Sequence, residues 1–192
     1  MKLKKISHNE DYVRFSKHLT IEVNPIITAK VDIYGALVTF GSREYGDIKI
    51  FEDPEPCFDY YVSGKKLKNS GFEEFYSKLF QGSFENFENE IFDFALLETA
   101  KLYDNHLLNF SRRKKIDLLL EAIDKAPTVK SISGEIVLYN QWACNAILDS
   151  LGENYLPSKK YNVKDNNKET TTKYGVLKQD CWKLYEKLKN EK

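Results

Sequence analysis

The side chains best suited to move protons, attack carbon or phosphorus, or ligate metals are three histidines, His8, His18 and His106, and three cysteines, Cys57, Cys144 and Cys181. None of the histidines stands in an HExxH or HxH pattern or beside a cysteine. A zinc site takes about four close-set ligands, and these six are scattered. The histidines therefore read as surface or packing residues. The cysteines fall in apolar runs and read as small core residues. Asp32, Asp47 and Glu52 sit on strand-like segments, where a nuclease would gather carboxylates around magnesium, but no Glu-x-Lys pair accompanies them. No GxxxxGK[ST] or GxGxxG loop is present to cradle a phosphate. The chemistry expected from these residues is non-enzymatic, with no metal and no cofactor.

Charge carries the stronger signal. The chain holds 29 basic and 29 acidic residues, a balance that argues against wrapping nucleic acid. The distribution is uneven: Glu44 to Glu98 carries a net −8, flanked by +3 before it and +5 after it. Within that block Glu44, Asp47, Glu52, Asp53, Glu55 and Asp59 crowd strand ends and a proline-stiffened turn, interleaved with Tyr45, Phe58, Tyr60 and Tyr61. Glu73, Glu74, Glu85, Glu88 and Glu90 follow on helical segments. Carboxylates converging on one face attract a basic partner and raise its association rate, and amphipathic aromatics anchor such interfaces.

The expected function is that of a binding or inhibitory protein, of the kind found among immunity proteins and phage anti-defence proteins. It would dock an acidic, aromatic-containing face on a protein or nucleoprotein with a basic surface. The expected contact residues are Glu44, Tyr45, Asp47, Glu52, Asp53, Glu55, Asp59 and Tyr60. The alternative is a nucleic-acid-binding accessory protein using the run Arg112-Arg113-Lys114-Lys115. Four cations at a helix start oppose the helix dipole, which asks for a reason. A polar group, Tyr139, Asn140, Gln141, Trp142 and Asn145, reads as a satisfied buried network or, more sharply, a small-molecule pocket.

The elements that must position these groups follow from periodicity. Residues 19–23, 30–34, 36–40, 47–51 and 58–62 alternate apolar with polar side chains, as half-buried strands do. Gly35 marks a bend or bulge, and Pro54 and Pro56 end the fourth run. Successive strands with short turns give an antiparallel meander. From Ser70 the period changes to helical. Ser70 and Glu73 have capping-box spacing for a helix to about Gln81, Ser83 caps a second and Ser111 a third. Ser133 precedes a fourth that Gly152 closes, and Val176 to Leu188 form a fifth. The second helix, apolar on much of its circumference through Leu97, Leu102 and Tyr103, is expected to be the most buried.

The expected fold is α+β: four to five antiparallel strands over residues 1–68, then about five helices over 69–192, with a long polar loop at about 154–173. At 192 residues, 42% hydrophobic, the chain suits one domain with a substantial core. The N-terminal residues lack the apolar stretch of a secretory signal and no window is apolar enough to span a membrane, so a reducing cytoplasm is the expected location. Enrichment in Lys, Asn, Phe and Tyr fits an AT-rich coding sequence, as in many mobile elements.

Overall fold

The structure, a computed structural model, describes residues 1–10, 14–165 and 169–191. It is an α+β fold. Strands β1 (Lys2–Glu10), β2 (Arg14–Glu22), β3 (Ile27–Ser42), β4 (Gly46–Val62) and β5 (Lys65–Leu67) form an antiparallel sheet in chain order. Helices α1 (Asn69–Leu79) and α2 (Phe84–Ala100) follow, then a 3₁₀ turn at Leu107–Asn109 and α3 (Arg112–Lys125). A second antiparallel sheet, ordered β6-β7-β9-β8, is built from β6 (Thr128–Lys130), β7 (Ile136–Leu138), β8 (Lys159–Asp165) and β9 (Glu169–Leu177). Helix α4 (Trp142–Ser150) lies between β7 and β8 in sequence, and α5 (Lys178–Asn190) follows β9. Among the described residues no helix is long and apolar enough to cross a membrane.

The chain divides into two compact units. The first joins Met1–Thr39 with Lys49–Asn109; the second joins Phe40–Ile48 with Phe110–Lys192. The division does not follow the change of periodicity near residue 68, because α1 and α2 build the core of the first unit.

In that unit the strand period of two is plain. Ile27, Ala29, Val31 and Ile33 of β3 are buried, while at the alternate positions Thr28 and Asp32 are half-buried and Lys30 and Tyr34 exposed. Phe72 and Tyr76, one turn apart on α1, and Ile91 and Ala95, one turn apart on α2, cover the buried face. Tyr60 stacks on Phe72 with ring centroids 4.0 Å apart, and Tyr76 packs on Phe87 at 4.5 Å. Burial of each such ring stabilises the fold by about 1.5–3 kcal/mol, so this aromatic cluster dominates the unit.

Three expectations for this region differ from the structure. Strand β1 has no alternation in its lysine-rich sequence; it pairs with β2 from Lys2↔Glu22 to Glu10↔Phe15. Pro54 and Pro56 do not end β4, which runs on to Val62. They share parity with Tyr60 and Val62, whose amides face β5, and β5 pairs only Tyr60–Val62. The missing N–H groups thus fall on a stretch of edge where β5 asks for no ladder bond. Gly35 makes no bend: it sits in register opposite Phe15, and a Cβ there would lie 2.9 Å from the Phe15 ring and 3.0 Å from the Glu52 carbonyl oxygen. Its role is to let strand and ring approach closely. β1 shifts register against β2 between Leu3 and Lys5, and β4 is irregular at Asp53, whose φ is 45°. Phe51 stacks on Phe15 at 4.6 Å and Tyr60 on Phe72, in the same core although their positions, 51 and 60, differ in parity. A strand of strict period two would put them on opposite faces, so the left-handed Asp53 restores the phase as a bulge does.

The helices differ from their sequence reading at their ends. Helix α1 starts from Lys68 with no side-chain cap, so Ser70 lies inside the first turn and the expected capping box does not form. Ser83 and Ser111 do cap, their Oγ atoms accepting from the Asn86 and Lys114 amides at 3.4 Å each. Helix α2 stops at Ala100 and buries one face, Ile91, Ala95 and Thr99; Leu97 and Leu102 are about half exposed, so it is not the most enclosed helix.

The second unit packs α3 against α4 and α5 through Leu118, Leu119, Ala122 and Ile123, Ile147 and Leu148, and Tyr185 and Leu188. Ser133 does not start a helix. It belongs to the β6–β7 turn, donating to Glu135 Oε2 at 2.8 Å, and the β-branched Ile136-Val137 that follow form β7. Helix α4 begins only after Gln141 and ends as expected at Gly152, φ 79°, with the Glu153 amide donating to the Leu148 carbonyl at 3.0 Å. The expected loop at 154–173 is mostly a hairpin, β8 paired with β9 from Lys159↔Gly175 to Asp165↔Glu169; residues 166–168 lie outside the described residues. Val176 and Leu177 accordingly belong to β9, and α5 starts after them.

Candidate functional site

The tip of the β3–β4 hairpin, Phe40–Ile48, is held within the second unit by two side chains of α3, Glu121 and Lys125. Glu121 accepts from Ser42 Oγ at 2.6 Å and from the Arg43 amide at 2.5 Å, and pairs with Lys125 at 2.8 Å. Lys125 Nζ also donates to the Gly41 carbonyl at 2.8 Å. Burial opposes the charge on Glu121, but the Arg43 amide, Lys125 and Ser42 outweigh it and hold the carboxyl below its ordinary 4.5. A carboxylate depressed on folding contributes stability that is complete above its unfolded value and is lost as pH falls through its folded one. Acid unfolding of the wild type should therefore include a loss of about 1 kcal/mol below the ordinary 4.5 that Glu121→Gln lacks, as read from denaturant midpoints against pH.

This clamp brings Glu44 and Tyr45 against the exposed face of α3. Glu44, Asp117, Leu120, Glu121, Asp124 and Trp182 line a concavity of about 450 Å³. Asp117, Glu121 and Asp124 are spaced four and three residues apart, so one helix face carries all three charges. Like charges at that spacing cost a few tenths of a kcal/mol each. Glu121 is offset by its clamp. Among the described residues Glu44, Asp117 and Asp124 enter no ion pair. Tyr45 stands beside them: burial first, then the charges of Glu44 and Asp117, raise its phenol above the ordinary 10.0. Its ring lies 5.7 Å from Phe110, and Lys114 Nζ sits over both rings at 5.5 and 5.3 Å. No basic residue lines the concavity itself, and Lys114 and Lys125 flank it. Such a surface can hold a cation between carboxylates and the face of Trp182.

The remaining expected contact residues lie elsewhere. Asp47 is exposed on the hairpin tip. Glu52, Asp53 and Glu55 belong to the first unit and, among the described residues, enter no ion pair. Asp53 has a backbone task at the bulge. Asp59 pairs with Lys66 at 2.6 Å. Tyr60 is not a contact residue: it is fully buried and its hydroxyl donates to Glu88 at 2.7 Å. A groove of about 760 Å³ in the first unit collects Asp32, Asp59, Glu85 and Glu88 together with Lys30. Three of its four carboxylates are engaged, Asp32 with His18 at 2.8 Å, Asp59 with Lys66 and Glu88 with Tyr60.

The basic run is dispersed around the start of α3. Arg112 pairs with Glu191 at 3.0 Å, and Lys114 lies over the rings already described. Lys115 is buried, and its ammonium donates to the Ser150 carbonyl at 2.9 Å. It is the cation that the C-terminal end of α4 attracts, which accounts for a lysine at the start of α3. Arg113 is exposed. Gln141 and Asn145 are both hydrogen-bonded: Gln141 Nε2 donates to Ser158 Oγ at 3.0 Å and Asn145 Oδ1 accepts from the Leu156 amide at 3.2 Å, fastening the segment before β8.

His106 is buried against Phe51 at a centroid distance of 4.0 Å and accepts from the Leu108 amide through Nδ1; His18 is an exposed partner of Asp32; the His8 side chain lies outside the described residues. A fully buried Lys17 donates to the Tyr103 hydroxyl at 2.8 Å. Among the described residues no group of three or more His, Cys, Asp or Glu is placed to hold a metal ion. Cys144 and Cys181 are buried as expected, whereas Cys57 is exposed on β4. Burial, then the neighbouring Cys181, pushes the Cys144 thiol up to about 12; burial, then Asp180, pushes Cys181 up to about 11. Since the thiolate is the nucleophile, a disulfide reagent at about pH 8 should label Cys57 rapidly and the other two only on unfolding, as counted by mass spectrometry.

Sequence reading missed Asp117, Glu121, Asp124 and Trp182. The three acids lie outside the densest acidic block, and only their spacing could have marked them. Compared with known proteins, the chain matches no family model, no curated protein and no solved structure.

Proposed function

We propose that this is a non-enzymatic binding protein that docks an acidic, aromatic-containing face on a basic surface of a partner protein, in the manner of an immunity or anti-defence protein. The observation that supports it is the concavity of the second unit, where Glu44, Asp117 and Asp124 stand without ion pairs beside Trp182. The like-charged face of α3 costs stability that an ordinary solvated helix avoids, and a cationic side chain would relieve it. Of the eight residues expected from sequence, Glu44 and Tyr45 carry this reading. Nucleic acid binding has no comparable support, because two of the four cations in the basic run are already engaged by Glu191 and Ser150.

The test is binding of an arginine-rich peptide by calorimetry. Affinity should fall steeply with added salt, and Asp117→Lys combined with Asp124→Lys should weaken it at least a hundredfold, the loss of two charge-assisted contacts at about 1.5–3 kcal/mol each. Both positions are exposed, so the fold should persist by circular dichroism. Unchanged affinity in the double variant would remove the proposal.

A further inference from the structure

The concavity does not end at Trp182. The same indole forms one wall of a second hollow, about 550 Å³, whose other walls are Gly134, Ile136 and Leu177 with Glu135, Lys178 and Gln179 at their side. Ile136 is 43% exposed and Trp182 37%. Large apolar side chains left in water at one place mark a surface that something covers. What covers it is indicated by the charge beyond the indole, where Glu44, Asp117 and Asp124 demand a cation and repel an acidic or neutral apolar segment.

We infer that the partner contributes an amphipathic basic segment, one large aliphatic or aromatic side chain lying between Ile136 and Trp182 and an adjacent arginine or lysine against Glu44, Asp117 and Asp124. This rests on the proposed function and adds the apolar anchor. The two subsites share a ring, so side chains a few residues apart on one segment reach both. An arginine stacked on one face of the indole keeps its guanidinium directed at the carboxylates. Burial of the apolar side chain supplies affinity that salt does not screen, and the acids supply register.

The experiment uses the full chain carrying Trp142→Phe, which leaves Trp182 as the only tryptophan, and two synthetic peptides of equal length and charge. One carries arginine with leucine, the other arginine with serine in place of leucine. The leucine peptide should bind at least tenfold tighter, the gain expected from burying one such side chain, and should shift Trp182 emission to the blue. Ile136→Glu should remove the tenfold difference and leave the weaker, salt-sensitive binding common to both peptides. Ile136→Ser serves as a second variant should the first disturb β7. Equal binding of the two peptides to the wild type would overturn the apolar anchor while leaving the acidic site standing. Binding of neither would overturn both.

Discussion

Gly175→Val is expected to abolish stable folding of the second unit. Gly175 lies on β9 where the strand crosses the end of β7, and a Cβ there would lie 2.4 Å from the Leu138 carbonyl oxygen and 2.6 Å from Val137 Cγ1. The first obstacle is backbone, so no rotamer change relieves it. The strands would have to separate, yet their pairing rests on two partners, Val137↔Leu177 and Leu138↔Val176. Overpacking of a core typically costs about 1–3 kcal/mol. Loss of this junction adds the burial of Val137, Leu138 and Val176, so a total above about 4 kcal/mol is expected. Urea unfolding followed by circular dichroism reads it directly. A loss below about 1 kcal/mol would mean that β7 and β9 approach less closely than described. The same variant should also lose peptide binding, since Leu177 and Ile136 are set by this junction.

Tyr60→Ala should be nearly as damaging in the first unit. The ring has no exposed surface, stacks on Phe72 and meets Phe84 and Phe87 at 6.0 and 6.2 Å. Truncation of a buried aromatic costs about 3–5 kcal/mol, and it strands the Glu88 carboxylate that accepts from the Tyr60 hydroxyl. Burial and then Glu88 raise the phenol above its ordinary value, so the hydroxyl stays a donor across the whole working range. Tyr60→Phe keeps the ring and loses only that bond, for about 1 kcal/mol. The comparison of the two variants separates packing from hydrogen bonding. Neither should alter the affinity of the acidic concavity for an arginine-rich peptide under conditions where the protein stays folded, the opposite of what a contact residue would do.

What was legible in the sequence was what periodicity and punctuation record locally. The alternation over residues 19–23 and 30–34 marked two strands of the sheet, the serines at 83 and 111 marked two helix starts, and Gly152 marked an end. The failures came where a tertiary partner overrode local preference. Lys2 to Glu10 is too polar to read as a strand by itself and becomes one by pairing with β2. Lys159 to Lys173 reads as a loop because only Val163 of its described residues is fully buried, although its threonines and Tyr161 suit a pleated surface. Ser133 imitated a helix cap because a serine before a glycine serves turns equally well. Pro54 and Pro56 stopped the reading of β4 because the open stretch of its edge is a property of β5's length.

The site was half legible for a similar reason. A charge count along the chain found Glu44 and Tyr45 but also Tyr60, since it weighs neighbours in sequence and is blind to burial. The three acids of α3 were spelled out at helical spacing, and Trp182 could be joined to them only by the docking of α5 on α3. The basic run misled in the converse way: four adjacent cations on a helix point in four directions, and the fold uses two of them for pairing and capping.

The most direct measurement is a titration of an arginine-rich peptide into isotope-labelled protein, followed by amide and indole resonances. The expected result is a saturable set of shifts centred on Glu44, Tyr45, Asp117, Asp124 and the Trp182 indole, which vanishes at high salt. Shifts confined to Asp32, Asp59 and Glu85 of the first unit, or no shifts at low salt, would contradict the account.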